Sequence, residues 1–237
     1  MRKILITNDD GINADGLVRL ARAAAEFGEV WVVAPDSQRS AMSHSVTLRH
    51  PIEAWQVDFP VPGVRAYACD GQPADCVRIG VLNIVPGKPD HVLSRINYGY
   101  NLASDLQYSA TAGAAFEAAF QKIHSIAFSE DAGDIHEVTD RYLKEIIGEL
   151  LEQPLAPGQI WNVNFPGCRL SECQGILRDR LVAREEYFKD HYIETPVSEG
   201  RISYMVEGLQ NYRASEHTDM KAILENYVSI GIATNIS

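Results

Sequence analysis

The chain of 237 residues is 46% hydrophobic and 22% charged, with 17 Gly and 11 Pro. That is the composition of a compact folded protein and excludes a fibre, a linker or a membrane chain. Its 21 Lys and Arg against 32 Asp and Glu leave a formal charge of −11, which argues against a nucleic-acid polymer or an anionic membrane as partner, because both demand a basic face.

The N-terminus has too short an apolar stretch for a signal-peptide core, and no run approaches the length of a membrane span, so a cytoplasmic location is expected. Cys69, Cys76, Cys168 and Cys173 lack CxxC spacing and read as reduced, buried thiols. In chain order, Lys3–Thr7 is an apolar strand, Gly16–Phe27 carries Leu17, Leu20, Ala21 and Ala24 at helical spacing, and Val30–Ala34 is again apolar throughout. Pro51, Pro60, Pro62 and Gly63 punctuate a β-rich hairpin excursion around residues 46–68. Helices are expected at 74–82, 111–123 and 138–151, and strands at 90–96, 125–129 and 160–165. Continuous apolar strands imply burial on both faces, hence an α/β fold: a Rossmann-like, mainly parallel sheet flanked by helices. Beyond Pro166 the sequence turns polar and irregular, with short strand candidates at 202–206 and 228–232. The expectation is a single domain, 1–237, with a core over about 1–166 and a C-terminal extension over about 167–237.

Ligands of an open parallel sheet bind outside the carboxyl ends of its strands, so the loops that follow the strands carry the candidates. The first is Asn8-Asp9-Asp10-Gly11, with two adjacent carboxylates. Held about 4 Å apart they would repel by about 4 kcal/mol at an effective dielectric of 20, a cost a cation removes; a simple capped turn is the plainer alternative. Next comes the hydroxyl-rich run from Asp36 to Ser45, then Asn97-Tyr98-Gly99-Tyr100-Asn101, whose amide oxygens suit a hard cation. Finally Ser109 or Thr111 can cap an Ala-rich helix whose first-turn amides bind phosphate. Together the loops form an all-oxygen set suited to Mg²⁺ or Mn²⁺ and not to zinc, which points to phosphoester chemistry.

KILITNDDGINADGL, VVAPDSQRSAMSHSVTL, LSRINYGYNLASDLQYSATAGAAFEAA, WNVNFP and TDMKAILENYVSI stand in this order between residue 3 and about residue 230. In them the chain resembles the SurE (survival protein E) family of metal-dependent nucleotidases. The resemblance implies one divalent ion per subunit, Mn²⁺ or Mg²⁺, on Asp9, Asp10, Ser40 and Asn97, with Asp9 or Asp10 as the catalytic base. It implies phosphate contacts from Asn101, Ser109 and Thr111, and an active-site loop holding Ser43, His44 and Ser45. The implied activity is a 5′-nucleotidase that removes phosphate from nucleoside 5′- and 3′-monophosphates and trims short polyphosphate. The implied assembly is a homodimer or tetramer built through the C-terminal extension. Ala41, Arg95 and Ala110 replace glycines usual in that family, and Arg95 is the larger change. A catalytically altered nucleotide binder is the alternative, as is a receiver-like regulatory module, which the sequence disfavours: the only lysine between Lys3 and Lys122 is Lys88, in a Pro-Gly-Lys-Pro turn.

Overall fold

A computed structural model describes residues 1–235. Eleven strands and five α-helices follow one another as β1 (Lys3–Thr7), α1 (Asp15–Ala24), β2 (Glu29–Pro35), β3 (Ala54–Val57), β4 (Arg65–Cys69), α2 (Pro73–Ile79), β5 (His91–Tyr98), α3 (Ala110–Phe120), β6 (His124–Glu130), α4 (Glu137–Leu150), β7 (Gln159–Phe165), β8 (Gly175–Arg180), β9 (Phe188–Ser198), β10 (Arg201–Gln210), α5 (Asp219–Leu224) and β11 (Tyr227–Thr234). Nine strands form one sheet in the order β3-β4-β2-β1-β5-β6-β7-β11-β8. Within it β4, β2, β1, β5, β6 and β7 run parallel. Chain order therefore reverses direction between β1 and β5, and it is at such a switch point that an open α/β sheet leaves a crevice for ligands.

The apolar runs behave as burial on both faces requires. Ile4 and Ile6 of β1 pack with Leu17 and Leu20 of α1 and with Ile146 of α4, while Leu5 between them packs with Val77 of α2 and Ala114 of α3. α1 buries Leu17, Leu20, Ala21 and Ala24, the face its spacing predicts, with Asp15 in its first turn and Arg22 in its last, both favourable to the helix dipole. α3 is buried from Ala110 to Ala119, and its alanines let the backbone lie close to its neighbours.

One expectation is met with an addition and one needs correction. The hairpin expected around 46–68 forms as β3 and β4, paired antiparallel, and β4 pairs in addition parallel with β2, so it is also a strand of the main sheet. Its Ala66, Ala68 and Cys69 are buried, whereas Ala54, Trp55 and Gln56 of β3 are exposed. The helix expected over 74–82 ends as α2 at Ile79 and continues as one wider turn, in which Val85 N–H donates to Gly80 O at 2.9 Å. The parallel run does end at β7, yet the sheet does not. β11 adds antiparallel to β7, and β8 adds alongside β11.

β9 and β10 form a separate two-stranded hairpin paired only with each other, with every residue exposed, among them Tyr192, Ile193, Tyr204, Met205 and Leu209. No helix among the described residues is long and apolar enough to cross a membrane. Of the four free cysteines, Cys69, Cys76 and Cys168 are buried and Cys173 is half-buried.

At the amino ends of β5 and β6 the rings of His91 and His124 meet, Nδ1 to Nδ1 at 3.2 Å. Burial, reinforced by the His124 charge, lowers His91 from 6.5 to about 4, and burial lowers His124 as well. The folded state thus favours neutral His91, so its stabilising effect is full above the unfolded pKa and fades as pH falls from about 6.5 to about 4. His91→Gln is expected to flatten that part of the stability–pH curve by up to about 2 kcal/mol, allowing for partial solvent screening, as read by chemical denaturation between pH 7 and pH 4.

Candidate active site

The carboxyl end of β1 places Asn8, Asp9 and Asp10 at the switch point. Asn8 Nδ2 donates to Gly11 O at 2.7 Å and closes the turn, which Gly11 makes at φ +99°. The loop after β2 is tied to it: Arg39 N–H donates to Asp9 O at 2.6 Å, and the Gln38 amide bridges Ser40 Oγ at 3.0 Å and Asp10 Oδ1 at 3.5 Å. Asp9 is buried and Asp10 partly open to solvent.

From α3, Thr111 donates its hydroxyl to Asp9 Oδ1 at 3.0 Å. Ser109 caps that helix, accepting from Ala112 N–H at 3.0 Å. Of the two candidates for the cap, Ser109 takes the role and Thr111 serves the carboxylate. From the end of β5, Asn97 Nδ2 donates to Gly99 O at 2.6 Å and Asn101 Oδ1 at 3.2 Å, so its amide nitrogen is engaged and its oxygen is the atom left for a ligand. Asn101 is buried, and its Nδ2 finds no partner among the described residues.

Asp9, Asp10, Ser40, Asn97, Asn101, Ser109 and Thr111 are thus joined at one edge through β1, β5, α3 and the Gln38 bridge. Ser43 is held beside the amino end of α3, its N–H donating to Tyr108 O at 3.1 Å, whereas His44 is held further along that helix. Ser43 Oγ donates to Gln107 O at 2.7 Å, and His44 Nε2 meets Glu117 Oε2 at 2.9 Å while its ring stacks on Phe120. Glu117 lies seven residues beyond Ala110 on the helix, about 10 Å at the α-helical rise. Burial pushes the Glu117 carboxyl up, but the bonds from His44 and Gln121 together with the Arg78 charge outweigh it and hold it below its ordinary value. The contact is close because Gly113 leaves room: a Cβ there would stand 2.5 Å from Ser43 O.

From sequence, Arg95 has three roles open to it: binding phosphate, pairing with an aspartate or pointing away. The structure buries it at 1% exposure, with Nη1 on Asp9 Oδ1 and Nη2 on Asp10 Oδ2. Gln38 was not singled out; its only signal was its position between the acidic pair's loop partners.

The donor chemistry fits a hard divalent cation: two carboxylates, an exposed hydroxyl and a free amide oxygen, with no cluster of three or more His, Cys, Asp or Glu among the described residues. One oxygen of each carboxylate, Asp9 Oδ1 and Asp10 Oδ2, lies against the Arg95 guanidinium. Beside Asp10 a cavity of about 230 Å³ opens between α1 and the end of β5, bordered by Gly16, Arg19, Tyr98, Glu130 and His136. Arg19 there is paired with Glu130 and with Asp140, each at 2.6 Å.

Of the three residues standing for glycines, Ala110 begins α3 without strain, whereas Ala41 lies at φ +57° and Arg95 at φ +30°. A non-glycine residue in this region costs about 1–2 kcal/mol. Ala41→Gly is therefore expected to stabilise the protein by about 1 kcal/mol in urea denaturation, less the extra unfolded-state entropy of glycine.

The survival protein SurE profile matches residues 4–187. The 5′-nucleotidase SurE 1 of Thermus thermophilus is 40% identical over 96% of this chain and 90% of its own length. The 5′-nucleotidase SurE of Alkaliphilus metalliredigens is 38% identical over 96% of this chain and 91% of its own. Among solved structures, the SurE protein of Aquifex aeolicus superposes with a TM-score of 0.84 at 32% identity, covering 99% of this chain and 94% of that one.

Proposed function

Because this chain belongs to the SurE family, we propose that it is a 5′-nucleotidase, a phosphatase that hydrolyses nucleoside 5′-monophosphates, with 3′-monophosphates and short polyphosphate as further substrates. The observation that carries this reading is the meeting of the Asp9-Asp10 pair with Asn97 and the amino end of α3 at the switch point. Curated relatives named 5′-nucleotidase match nearly the whole chain.

The residues divide the work by their exposure. The first-turn amides of α3 and the unpartnered Asn101 Nδ2 offer hydrogen-bond donors for phosphoryl oxygens. Asp9, buried and bonded to Thr111, fixes the geometry, while Asp10, partly open, is the carboxylate able to take a proton from an attacking water. Tyr98, its ring exposed at the rim of the cavity beside Asp10, offers a stacking surface for a nucleobase. One divalent cation, Mn²⁺ or Mg²⁺, would be held by Asp9, Asp10, Ser40 and Asn97; bound there, it supplies charge compensation for the phosphoryl group and a lowered pKa for water.

The free cysteines suit a cytoplasmic setting. A homodimer, or a tetramer built from it, is supported by the apolar side chains that the β9–β10 hairpin leaves exposed.

Inorganic phosphate release from AMP, GMP and p-nitrophenyl phosphate, measured with Mn²⁺ and with a chelator, tests the reading. Asp10→Asn is expected to lower kcat about 10²–10⁴-fold, and Asp9→Asn to abolish turnover. Near-native turnover in Asp9→Asn, with folding verified by circular dichroism, would sink the assignment.

A further inference from the structure

The two carboxylates already have a cation. Arg95 sits opposite no residue of β6: Ser94 pairs with Ala127 and Ile96 with Phe128, so Arg95 is the extra residue of a β-bulge in β5. Bulges beside functional sites redirect side chains, and this one, at φ +30°, turns a fully buried guanidinium onto Asp9 Oδ1 and Asp10 Oδ2. Arg95 Nε donates in addition to Ile96 O at 3.3 Å, and the Asp9 Oδ1 that Nη1 meets also accepts from Thr111, while Nη2 has no hydrogen-bond partner among the described residues.

A single positive charge between two carboxylates leaves one negative charge uncompensated. A divalent ion would compensate both, but the guanidinium already lies against one oxygen of each carboxylate, and two cations held by the same acidic pair repel. We propose that Arg95 is a tethered competitor for the divalent-cation position: guanidinium and metal ion exclude each other, and the chain takes up a divalent cation only in the fraction of molecules whose Arg95 has left the acidic pair. Apparent affinity falls by that fraction, so a tenth competent means roughly tenfold weaker binding. This inference rests on the metal reading given above.

The test is direct binding, read without catalysis. Mn²⁺ is titrated into wild-type, Arg95→Gly, Arg95→Gln and Asp10→Asn/Arg95→Gly proteins, with free Mn²⁺ followed by electron paramagnetic resonance and thermal midpoints by fluorimetry. Glycine suits the bulge dihedral, and glutamine keeps most of the side chain in place without charge, so that one variant serves if the other fails to fold. The expected result is Mn²⁺ binding at least about tenfold tighter in both single variants than in wild type, a midpoint raised at lower Mn²⁺ in the single variants than in wild type, and loss of the gain in the double variant. Wild-type affinity equal to or tighter than that of the variants overturns the competition while leaving a metal site in place. Absence of Mn²⁺ binding in every protein overturns the metal reading as well.

Discussion

Two aspartates adjacent in sequence, at the end of a buried strand, impose a requirement for positive charge that the rest of this molecule is arranged around. Chain direction brings Asp9 and Asp10 to the reversal between β1 and β5, where neighbouring crossovers leave on opposite faces of the sheet. Everything that reaches this edge answers the requirement in part: the Thr111 hydroxyl on Asp9, the Gln38 amide towards Asp10, and the guanidinium that β5 delivers between them.

The supports behind the site come from distant parts of the sequence. Asn101, which takes the Asn97 amide, is itself held by Asn164 Oδ1 of β7, at 2.9 Å from its N–H, and by Asn162, which donates to its carbonyl at 2.9 Å. Two residues on, Ala103 N–H donates to Asp219 Oδ2 at 3.1 Å, while Ala183 N–H donates to Asp219 Oδ1 at 2.9 Å. Burial raises the Asp219 carboxyl from its ordinary value against four backbone donors that favour its charged form. The segment after β7 therefore serves the site of its own subunit by clamping the loop that follows β5.

Much of this was legible from residue order because burial on both faces writes long apolar runs. β1, β2, β5, β6 and β7 fall where those runs lie, and the amphipathic spacing of α1 and α4 names the buried face. The acidic pair, Asn97 and the α3 cap were legible because turn and capping chemistry must follow each strand. Less legible was what depends on partners remote in sequence. β4 carries only five residues with an alternating pattern, and its place in the sheet comes from pairing with β2. β8, β9 and α5 were not foreseen, since a short strand at the sheet edge, an exposed hairpin and a six-residue helix bury too little to leave a periodic signal. Arg95 was noticed as a departure, but the direction of its side chain follows from a bulge whose extra residue shows only when β5 is laid against β6.

The β9–β10 hairpin has nine consecutive residue pairs in one register, from Ile202–Pro196 to Gln210–Phe188, and among the described residues no other strand pairs with it. An isolated two-stranded ribbon is marginal in water, and this one leaves Tyr192, Ile193, Tyr204 and Met205 exposed among the described residues. The hairpin shares no strand pairing with the nine-stranded sheet, so what holds the one does not hold the other, and the two regions need not melt together.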